Sequence, residues 1–223
     1  MHRPNIIINS AMSADGKISS VERRQVRISG REDLARVDRL RAESDAVMVG
    51  VGTVLADDPG LRVKSIHLVQ ERTRKGWQQQ PLRVVADSSA RTPPGARVLG
   101  EGCLVAVSAC APAERLARLK QECEIIRCGQ QRVDLRELTG ALYERGVRRL
   151  MVEGGGSLNW SLLQAGLVDE IYVYIGALLL GGKDAPTLVD GSGFRGDYPR
   201  LKLISSEPMD EGVLLRWQVA GTP

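Results

Sequence analysis

The sequence predicts an α/β fold: a mostly parallel central sheet with helices on both faces and an antiparallel hairpin at the C-terminus. Short apolar runs typical of buried strands alternate with segments whose apolar residues recur at helical spacing. The last two apolar runs flank the turn-like residues 209–212 with no helix between them, as in a hairpin. Because neither a linker nor an internal repeat interrupts this pattern, we expect one domain spanning residues 1–223.

The first half of the chain contains three predicted buried strands, at residues 5–11, 46–50 and 82–86. Residues 29–32 (Ser-Gly-Arg-Glu) have the spacing of a capping box, and residues 31–43 follow with helical periodicity. Residues 50–59 combine glycines, an acidic pair and a proline, which favours a structured loop. Residues 62–80 are polar and irregular, so we expect a flexible excursion there.

The second half is more regular. Predicted strands cover residues 103–107, 124–126, 150–152, 169–176, 201–206 and 213–219. Helices are predicted to begin near Pro112 and Asp134 and after a run of glycines, and Gly166 is expected to end the last of them. Residues 181–199 contain five glycines and are predicted to form a loop.

The run of glycines lies in residues 149–160, where a short apolar run ends at Glu153 and residues 154–156 are all glycine. Ser157 is a candidate N-cap for the helix that follows. Glycines let a ligand approach the backbone, and the N–H groups at a helix start favour phosphate. A tight strand-to-helix turn with glycines for packing explains this stretch equally well, since it matches neither GxGxxG nor a P-loop.

Polar residues follow three of the predicted strands at their carboxyl ends, where ligands bind in open α/β sheets. Together these three strand ends favour an extended cofactor with more than one phosphate, a dinucleotide, over purely structural turns. The candidate cofactor-binding residues are Thr53, Asp57, Ala86, Asp87, Ser88, Gly154, Gly155, Gly156 and Ser157.

Composition argues against several other functions. The net charge is only +4 and aromatic residues make up 4% of the chain, so nucleic acid is an unlikely partner. No apolar stretch approaches membrane-spanning length, and we expect a cytoplasmic protein with reduced cysteines. The spacing of its four cysteines and two histidines fits no metal site, and no GxSxG motif is present. Hydride transfer needs few protein acids or bases, because the cofactor carries the chemistry.

Five segments closely resemble the reductases of riboflavin biosynthesis, in the same order and at the same spacing over essentially the whole chain. The resemblance is to the stand-alone archaeal and fungal type, because the HxE and CxxC motifs of the zinc deaminase fused to the bacterial type are absent. The segments are residues 12–17, 41–46, 52–59 with Leu61, 152–156 and 166–170.

The resemblance implies a dihydrofolate-reductase-like fold, NADPH as hydride donor and a homodimer. It implies reduction of the ribosylamino side chain of 2,5-diamino-6-(5-phosphoribosylamino)pyrimidin-4(3H)-one to a ribitylamino 5′-phosphate, by direct hydride transfer to C1′. By position, Thr53, Asp57, Ser88 and residues 154–157 would contact the cofactor. Arg41, Leu61 and Glu153 would contact the substrate.

Glu153 is the candidate catalytic residue, which would orient or protonate the sugar and its amine nitrogen; alternatively, it is a strand-end carboxylate that caps nearby N–H groups. Lys64 stands where the fused bacterial type has a substrate-binding arginine, which keeps the charge but loses the bidentate fork. Arg41 and Lys64 could equally be surface cations. Two other functions stay open: a reductase of the same fold acting on a pterin or folate, and a nucleotide-binding protein without catalysis.

Overall fold

The computed structural model describes residues 2–220, which contain nine strands and six helices. The strands are β1 (Asn5–Ser13), β2 (Ala46–Gly50), β3 (Leu82–Ala86), β4 (Cys103–Val107), β5 (Glu124–Arg127), β6 (Arg149–Val152), β7 (Glu170–Gly176), β8 (Arg200–Met209) and β9 (Gly212–Ala220). The helices are α1 (Arg31–Ala42), α2 (Val51–Asp57), α3 (Ile66–Arg74), α4 (Ala113–Leu119), α5 (Leu135–Glu144) and α6 (Gly156–Gln164). None of the described helices is both long enough and apolar enough to cross a membrane.

The chain divides into two compact units. The first comprises the residues up to Asn5 together with Asp38–Met151, and the second comprises Ile6–Val37 together with the chain from Val152 onward. Each unit thus combines segments that are distant in sequence.

In the first unit, strands β2, β3, β4 and β5 pair in parallel in that order, and β6 lies on the other side of β2. The central strands are buried along most of their length, which explains their continuous runs of Val, Leu and Ala. Gly50 pairs with Ala86, so the carboxyl ends of β2 and β3 lie side by side. The residues that follow these two strands are therefore neighbours.

A buried arginine closes the opposite end of β3. Arg83 is 1% exposed and donates hydrogen bonds to the carbonyls of Val98, Leu99, Gly100 and Glu101. Burial lowers the pKa of its guanidinium. Because these carbonyls satisfy the buried donors, the side chain fixes the loop before β4 at the end remote from the strand-end candidates.

In the second unit, β1 pairs in parallel with β7, which pairs antiparallel with β9, and β9 forms a hairpin with β8. The hairpin has a bulge between Leu203 and Ser205. A mostly parallel set of strands with a C-terminal antiparallel hairpin is the predicted architecture, and this prediction is confirmed. The single-domain prediction remains a prediction.

Two predicted loops are helical instead. Residues 50–59 contain α2, because Val51 and Val54 supply the buried face of a short helix. Residues 62–80 contain α3, whose N-cap is Ser65 and whose Arg72 is buried against the carbonyls of Ala42 and Ser44. Both predictions were wrong because a helix this short shows few apolar positions in its sequence. Most of its stability comes from tertiary contacts, which the sequence does not reveal.

The predicted capping box at residues 29–32 is also wrong. The backbone N–H groups of Glu32 and Asp33 donate to the carboxylate of Asp210, in the turn between β8 and β9, at 2.9 and 3.0 Å. These hydrogen bonds lower the pKa of Asp210. Ser29 instead donates its hydroxyl to the Asp33 side chain. A cap supplied from a residue so distant along the chain leaves no local sequence signal.

Candidate functional site

The glycine run in the second unit is the turn between β6 and α6. Gly154 has φ +87°, a left-handed conformation that favours glycine, and the peptide bond between Gly154 and Gly155 is cis. The N-cap of α6 is Gly155, which offers no side-chain cap. The prediction that Ser157 is the N-cap is therefore wrong: the helix already begins at Gly156, and Ser157 is exposed in its first turn.

The structure requires glycine at two of these three positions, for different reasons. A Cβ at Gly156 would lie 2.6 Å from the carbonyl oxygen of Thr187 and 2.6 Å from Asp190 Oδ2, so packing alone excludes a side chain there. Gly154 is required by its backbone conformation. Gly155 has φ −72° and ψ −176°, which any residue adopts, so its own conformation does not require glycine.

Residues 187–190 hold this turn in place. The Asp190 N–H donates to the Gly156 carbonyl at 3.1 Å, and Asn159 Nδ2 donates to the Leu188 carbonyl at 2.9 Å. Asn159 is fully buried, and its Oδ1 has no hydrogen-bond partner among the residues that the structure describes. The N–H groups of Leu158 and Asn159 both donate to the Gly155 carbonyl, so the helix is regular from its first turn. Sequence reasoning missed Asn159 and Asp190, although the sequence does show that Asn159 lies between the apolar residues Leu158 and Trp160.

The strand-end candidates of the first unit follow β3. Ala86 is its last residue, and Asp87 is fully buried. Asp87 Oδ2 accepts hydrogen bonds from the N–H and the hydroxyl of Thr92, at 2.7 and 2.8 Å. The Ser88 hydroxyl accepts from the Val133 N–H at 3.0 Å. These bonds give the loop after β3 a fixed shape.

Thr53 and Asp57 lie on α2, which follows β2 directly. Thr53 is half-buried. Asp57 Oδ1 is buried without a hydrogen-bond partner within residues 2–220, and burial raises the pKa of this carboxyl. The neighbouring Asp58 caps the helix in a left-handed conformation, and its carboxylate accepts the Arg97 N–H at 2.8 Å.

The substrate candidates of the first unit lie on α1 and in the loop after α2. Arg41 Nη1 donates to the Arg62 carbonyl at 3.1 Å. Leu61 is 1% exposed with φ +51°, a conformation that costs a branched residue strain energy and is enriched at functional sites. Lys64 is exposed at its side chain, and its N–H donates to Asp38 Oδ1 at 2.7 Å.

The structure thus places Arg41 of α1 against the loop that carries Leu61 and Lys64. Asp38, which sequence reasoning missed, also accepts the Ser65 N–H at 2.8 Å and is buried. The candidate cofactor-binding residues that follow β2 and β3 lie at the adjacent carboxyl ends of these two strands, in the first unit. Glu153, in the second unit, is half-buried at the end of β6.

Comparison with known proteins adds a family match. The model of the RibD C-terminal domain matches residues 4–215. The chain is 53% identical over 212 residues to 2,5-diamino-6-ribosylamino-4(3H)-pyrimidinone 5′-phosphate reductase of Archaeoglobus fulgidus, covering 94% of this chain and 95% of that protein. It is 46% identical over 223 residues to the reductase of the same name of Methanothermobacter thermautotrophicus, covering 98% and 100%.

A solved structure supports the fold. A pyrimidine reductase-like protein from Corynebacterium diphtheriae superposes with a TM-score of 0.85 at 20% identity, covering 97% of this chain and 92% of that one. The predicted fold class is therefore confirmed, and the family match with the two archaeal relatives confirms the resemblance to riboflavin reductases. The individual site residues remain predictions.

Proposed function

The chain belongs to the RibD C-terminal domain family, and from this membership we propose that it is the NADPH-dependent reductase of riboflavin biosynthesis. Its substrate would be 2,5-diamino-6-(5-phosphoribosylamino)pyrimidin-4(3H)-one, and its product the ribitylamino 5′-phosphate. The names of the two archaeal relatives support the substrate. The single observation that carries the proposal is the extent of that similarity, which covers nearly the full length of both relatives.

The residues present fit a phosphate-bearing dinucleotide. The turn at residues 154–156 offers backbone without side chains, and it leads into the start of α6, whose first N–H groups have no acceptor within the helix. Gly155 in particular is a glycine that its own conformation does not demand, as expected where a cofactor approaches the backbone. We assign cofactor contacts to residues 154–157 and, from the first unit, to Thr53, Asp57 and residues 86–88.

When bound, NADPH supplies the hydride that reduces the sugar carbon. The protein's own contribution is to bind and orient the substrate and to donate or accept protons during the reaction. The substrate carries a phosphate and an amino-substituted pyrimidine, which suit the cations Arg41 and Lys64. The loop that carries Lys64 is fixed by Asp38, and Leu61 in this loop is held in a strained conformation that positions its side chain. A loop fixed in this way loses little conformational entropy when the substrate binds.

We assign to Glu153 the role of proton donor to the substrate. It is half-buried at the end of β6, next to the glycine turn. The ribosylamine ring opens to an imine at C1′ before reduction, and a carboxyl group can protonate the ring oxygen or the amine nitrogen. We also assign to Glu153 the orientation of the sugar.

The assembly and location follow the family. We propose that the chain acts as a single reductase domain, as a homodimer and in the cytoplasm. Light scattering after gel filtration measures the mass in solution: about twice 24.3 kDa is expected, and about 24.3 kDa would contradict the dimer.

Purified protein is tested with NADPH and the diaminopyrimidine substrate, following the loss of NADPH absorbance. The same assay is run with the deaminated analogue and with dihydrofolate as alternative substrates. Oxidation of NADPH with a pyrimidine substrate and none with dihydrofolate supports the proposal. Oxidation only with dihydrofolate would indicate a folate reductase, and NADPH binding without oxidation in any arm would indicate a binding protein.

A further inference from the structure

Two cysteines lie side by side in the first unit, at the amino ends of β4 and β5. Cys103 is the first residue of β4, and Cys123 immediately precedes β5. Leu104 pairs with Glu124 in the parallel register, so the two cysteines are the preceding pair in the same register. Neighbouring strands lie about 4.8 Å apart, within the range of about 4.4–6.8 Å that separates the Cα atoms of disulfide-bonded cysteines. The backbone thus places these two free thiols at a separation that a disulfide can span.

The two thiol groups also interact with each other. A hydrogen bond with Cys103 lowers the pKa of the Cys123 thiol, and it outweighs burial and the Glu122 carboxylate, which both raise this pKa. The same hydrogen bond, together with burial, raises the pKa of Cys103. Cys123 therefore ionises before Cys103. Since the thiolate is the reactive form of cysteine, Cys123 is the better nucleophile of the two.

The two thiols differ in the same sense in their access to solvent. Cys103 is 3% exposed, whereas Cys123 is only partly buried. The Cys123 thiol lies just beyond the end of α4, where it donates to the carbonyl of Leu119 at 3.4 Å. A reagent from solvent therefore meets Cys123 first, and the sulfur that lies behind it is that of Cys103.

A cation stands on the other side of Cys103. Arg83 of β3 pairs with Cys103 in the sheet register, and its guanidinium is fixed by the carbonyls of residues 98–101. Its charge and its hydrogen bond to the thiol both favour the thiolate form of Cys103, against the effect of burial. Once Cys123 has reacted and is no longer a thiolate, Arg83 is the neighbour that assists ionisation of Cys103.

This arrangement suits thiol chemistry better than metal binding. Within residues 2–220, no group of three or more histidine, cysteine or acidic side chains is placed to hold a metal ion. The remaining cysteines differ from the pair. Cys110 is exposed, and burial raises the pKa of the Cys128 thiol to about 11. Only Cys103 and Cys123 combine register pairing, contact between the thiols and access from solvent.

We propose that Cys123 and Cys103 form a reversible dithiol–disulfide site whose co-reactant is a low-molecular-weight disulfide. The Cys123 thiolate attacks one sulfur of the small disulfide, forms a mixed disulfide with it and expels the other half as a thiolate. Cys103 then gives up its proton and attacks the Cys123 sulfur, which releases the second half. The protein loses two electrons and two protons, and the small disulfide is reduced to two thiols.

Oxidation would join β5, the edge strand of the sheet, to β4. The bond would close a loop of about 20 residues that contains α4, and closing such a loop restricts the unfolded chain. The site lies at the amino ends of these strands, whereas the proposed cofactor contacts lie at the carboxyl ends of β2 and β3. The inference is therefore independent of the proposed function.

The test treats folded, fully reduced protein with glutathione disulfide, blocks the remaining thiols with iodoacetamide and maps the peptides by mass spectrometry. We expect a peptide pair cross-linked through Cys103 and Cys123, which dithiothreitol separates again. The unfolding temperature of the oxidised protein should exceed that of the reduced protein by about 5 °C. Cys110→Ser is the matched control at an exposed cysteine, and it should form the same cross-link.

Two variants separate the steps. Cys103→Ser should stop with one glutathione on Cys123, and Cys123→Ser should form no cross-link and leave Cys103 open to neither reagent in the folded state. In both, the rise in unfolding temperature should disappear. If one variant misfolds, the other still decides. A wild-type protein that keeps Cys103 and Cys123 as thiols, stops at a glutathione adduct or cross-links through Cys110 or Cys128 instead would overturn the inference.

Discussion

Asp87 and Thr92 are joined by two hydrogen bonds to one oxygen: Asp87 Oδ2 accepts the Thr92 N–H at 2.7 Å and the Thr92 hydroxyl at 2.8 Å. Both residues are buried, at 0% and 3% exposure. These two hydrogen bonds join the ends of the loop that follows β3, so residues 88–91 are held between fixed ends. The side chain of Asp87 therefore shapes the proposed cofactor loop from inside the protein.

Replacing Thr92 by valine tests this role. The substitution keeps the shape but removes the hydroxyl, so one buried charge-assisted hydrogen bond is lost, and the free energy of unfolding should fall by roughly 1–3 kcal/mol. Urea unfolding measures it. Thr73→Val is the control, because its hydroxyl bonds the Val69 carbonyl on an exposed helix face, and it should cost much less. Equal losses for both variants would contradict a special role for the Asp87–Thr92 pair.

Asp57 should make stability depend on pH. Burial raises the pKa of its carboxyl above the ordinary 3.8, so between the two values the folded state binds more protons than the unfolded state. Stability contributed by this group therefore falls as the pH rises through that window. Measured without cofactor, Asp57→Asn should raise the unfolding temperature more at pH 7 than at pH 4, because only at pH 7 does the substitution remove a charge that burial disfavours.

Asp58→Asn is the matched control for Asp57. Its carboxylate accepts the Arg97 N–H, so the loss of charge weakens a favourable contact, and the unfolding temperature at pH 7 should stay the same or fall. If both variants shift the temperature in the same direction at pH 7, desolvation of Asp57 is not the cause.

Gly155→Val should abolish NADPH binding and leave the fold largely intact. Its backbone conformation is open to any residue, whereas a branched side chain would occupy the space that we assign to the cofactor. Calorimetry measures binding, and circular dichroism measures folding. Gly140→Val, at a helical glycine with nothing within 4 Å of its Cβ position, is the control and should keep NADPH affinity. Unchanged affinity in folded Gly155→Val would refute the cofactor assignment.

Glu153→Gln should lower turnover far more than NADPH affinity, because we assign its carboxyl to the substrate. A loss of about 100-fold in kcat is expected for a general acid that can no longer ionise. Steady-state kinetics and NADPH calorimetry on the same preparation separate the two effects. If turnover stays within about threefold, roughly 0.6 kcal/mol of barrier, the carboxylate is structural.

Much of the architecture was predictable because several strands of the first unit, such as β2 and β4, are short, continuous apolar runs. The ranges predicted for β2, β3 and β4 match the observed strands, and Asp134 caps α5 as expected, since its carboxylate accepts the N–H groups of Arg136 and Glu137. These signals are local: a buried strand and an Asp cap can both be recognised within a few residues.

The misses share a physical cause, which is that the stabilising partner lies far away in sequence. Asp210 caps α1 from the hairpin turn, and the packing of Gly156 against residues 187–190 fixes where α6 begins. In the candidate site, Asp38 and Asn159 hold the loops that carry predicted residues, yet neither precedes a motif. Thr53, Ser88 and Glu153 were predicted to contact ligands from their places at strand ends and from family resemblance, and these contacts remain predictions.

We propose that hydride passes directly from C4 of the nicotinamide to C1′ of the sugar, and isotope labelling tests this step most directly. NADPH carrying deuterium at C4 is supplied as each stereoisomer separately, together with the diaminopyrimidine substrate, and the product is analysed by mass spectrometry and NMR. We expect one deuterium at C1′ of the ribityl chain from one isomer, and none from the other. Product without deuterium from both isomers, or with the label lost to solvent, would contradict direct transfer.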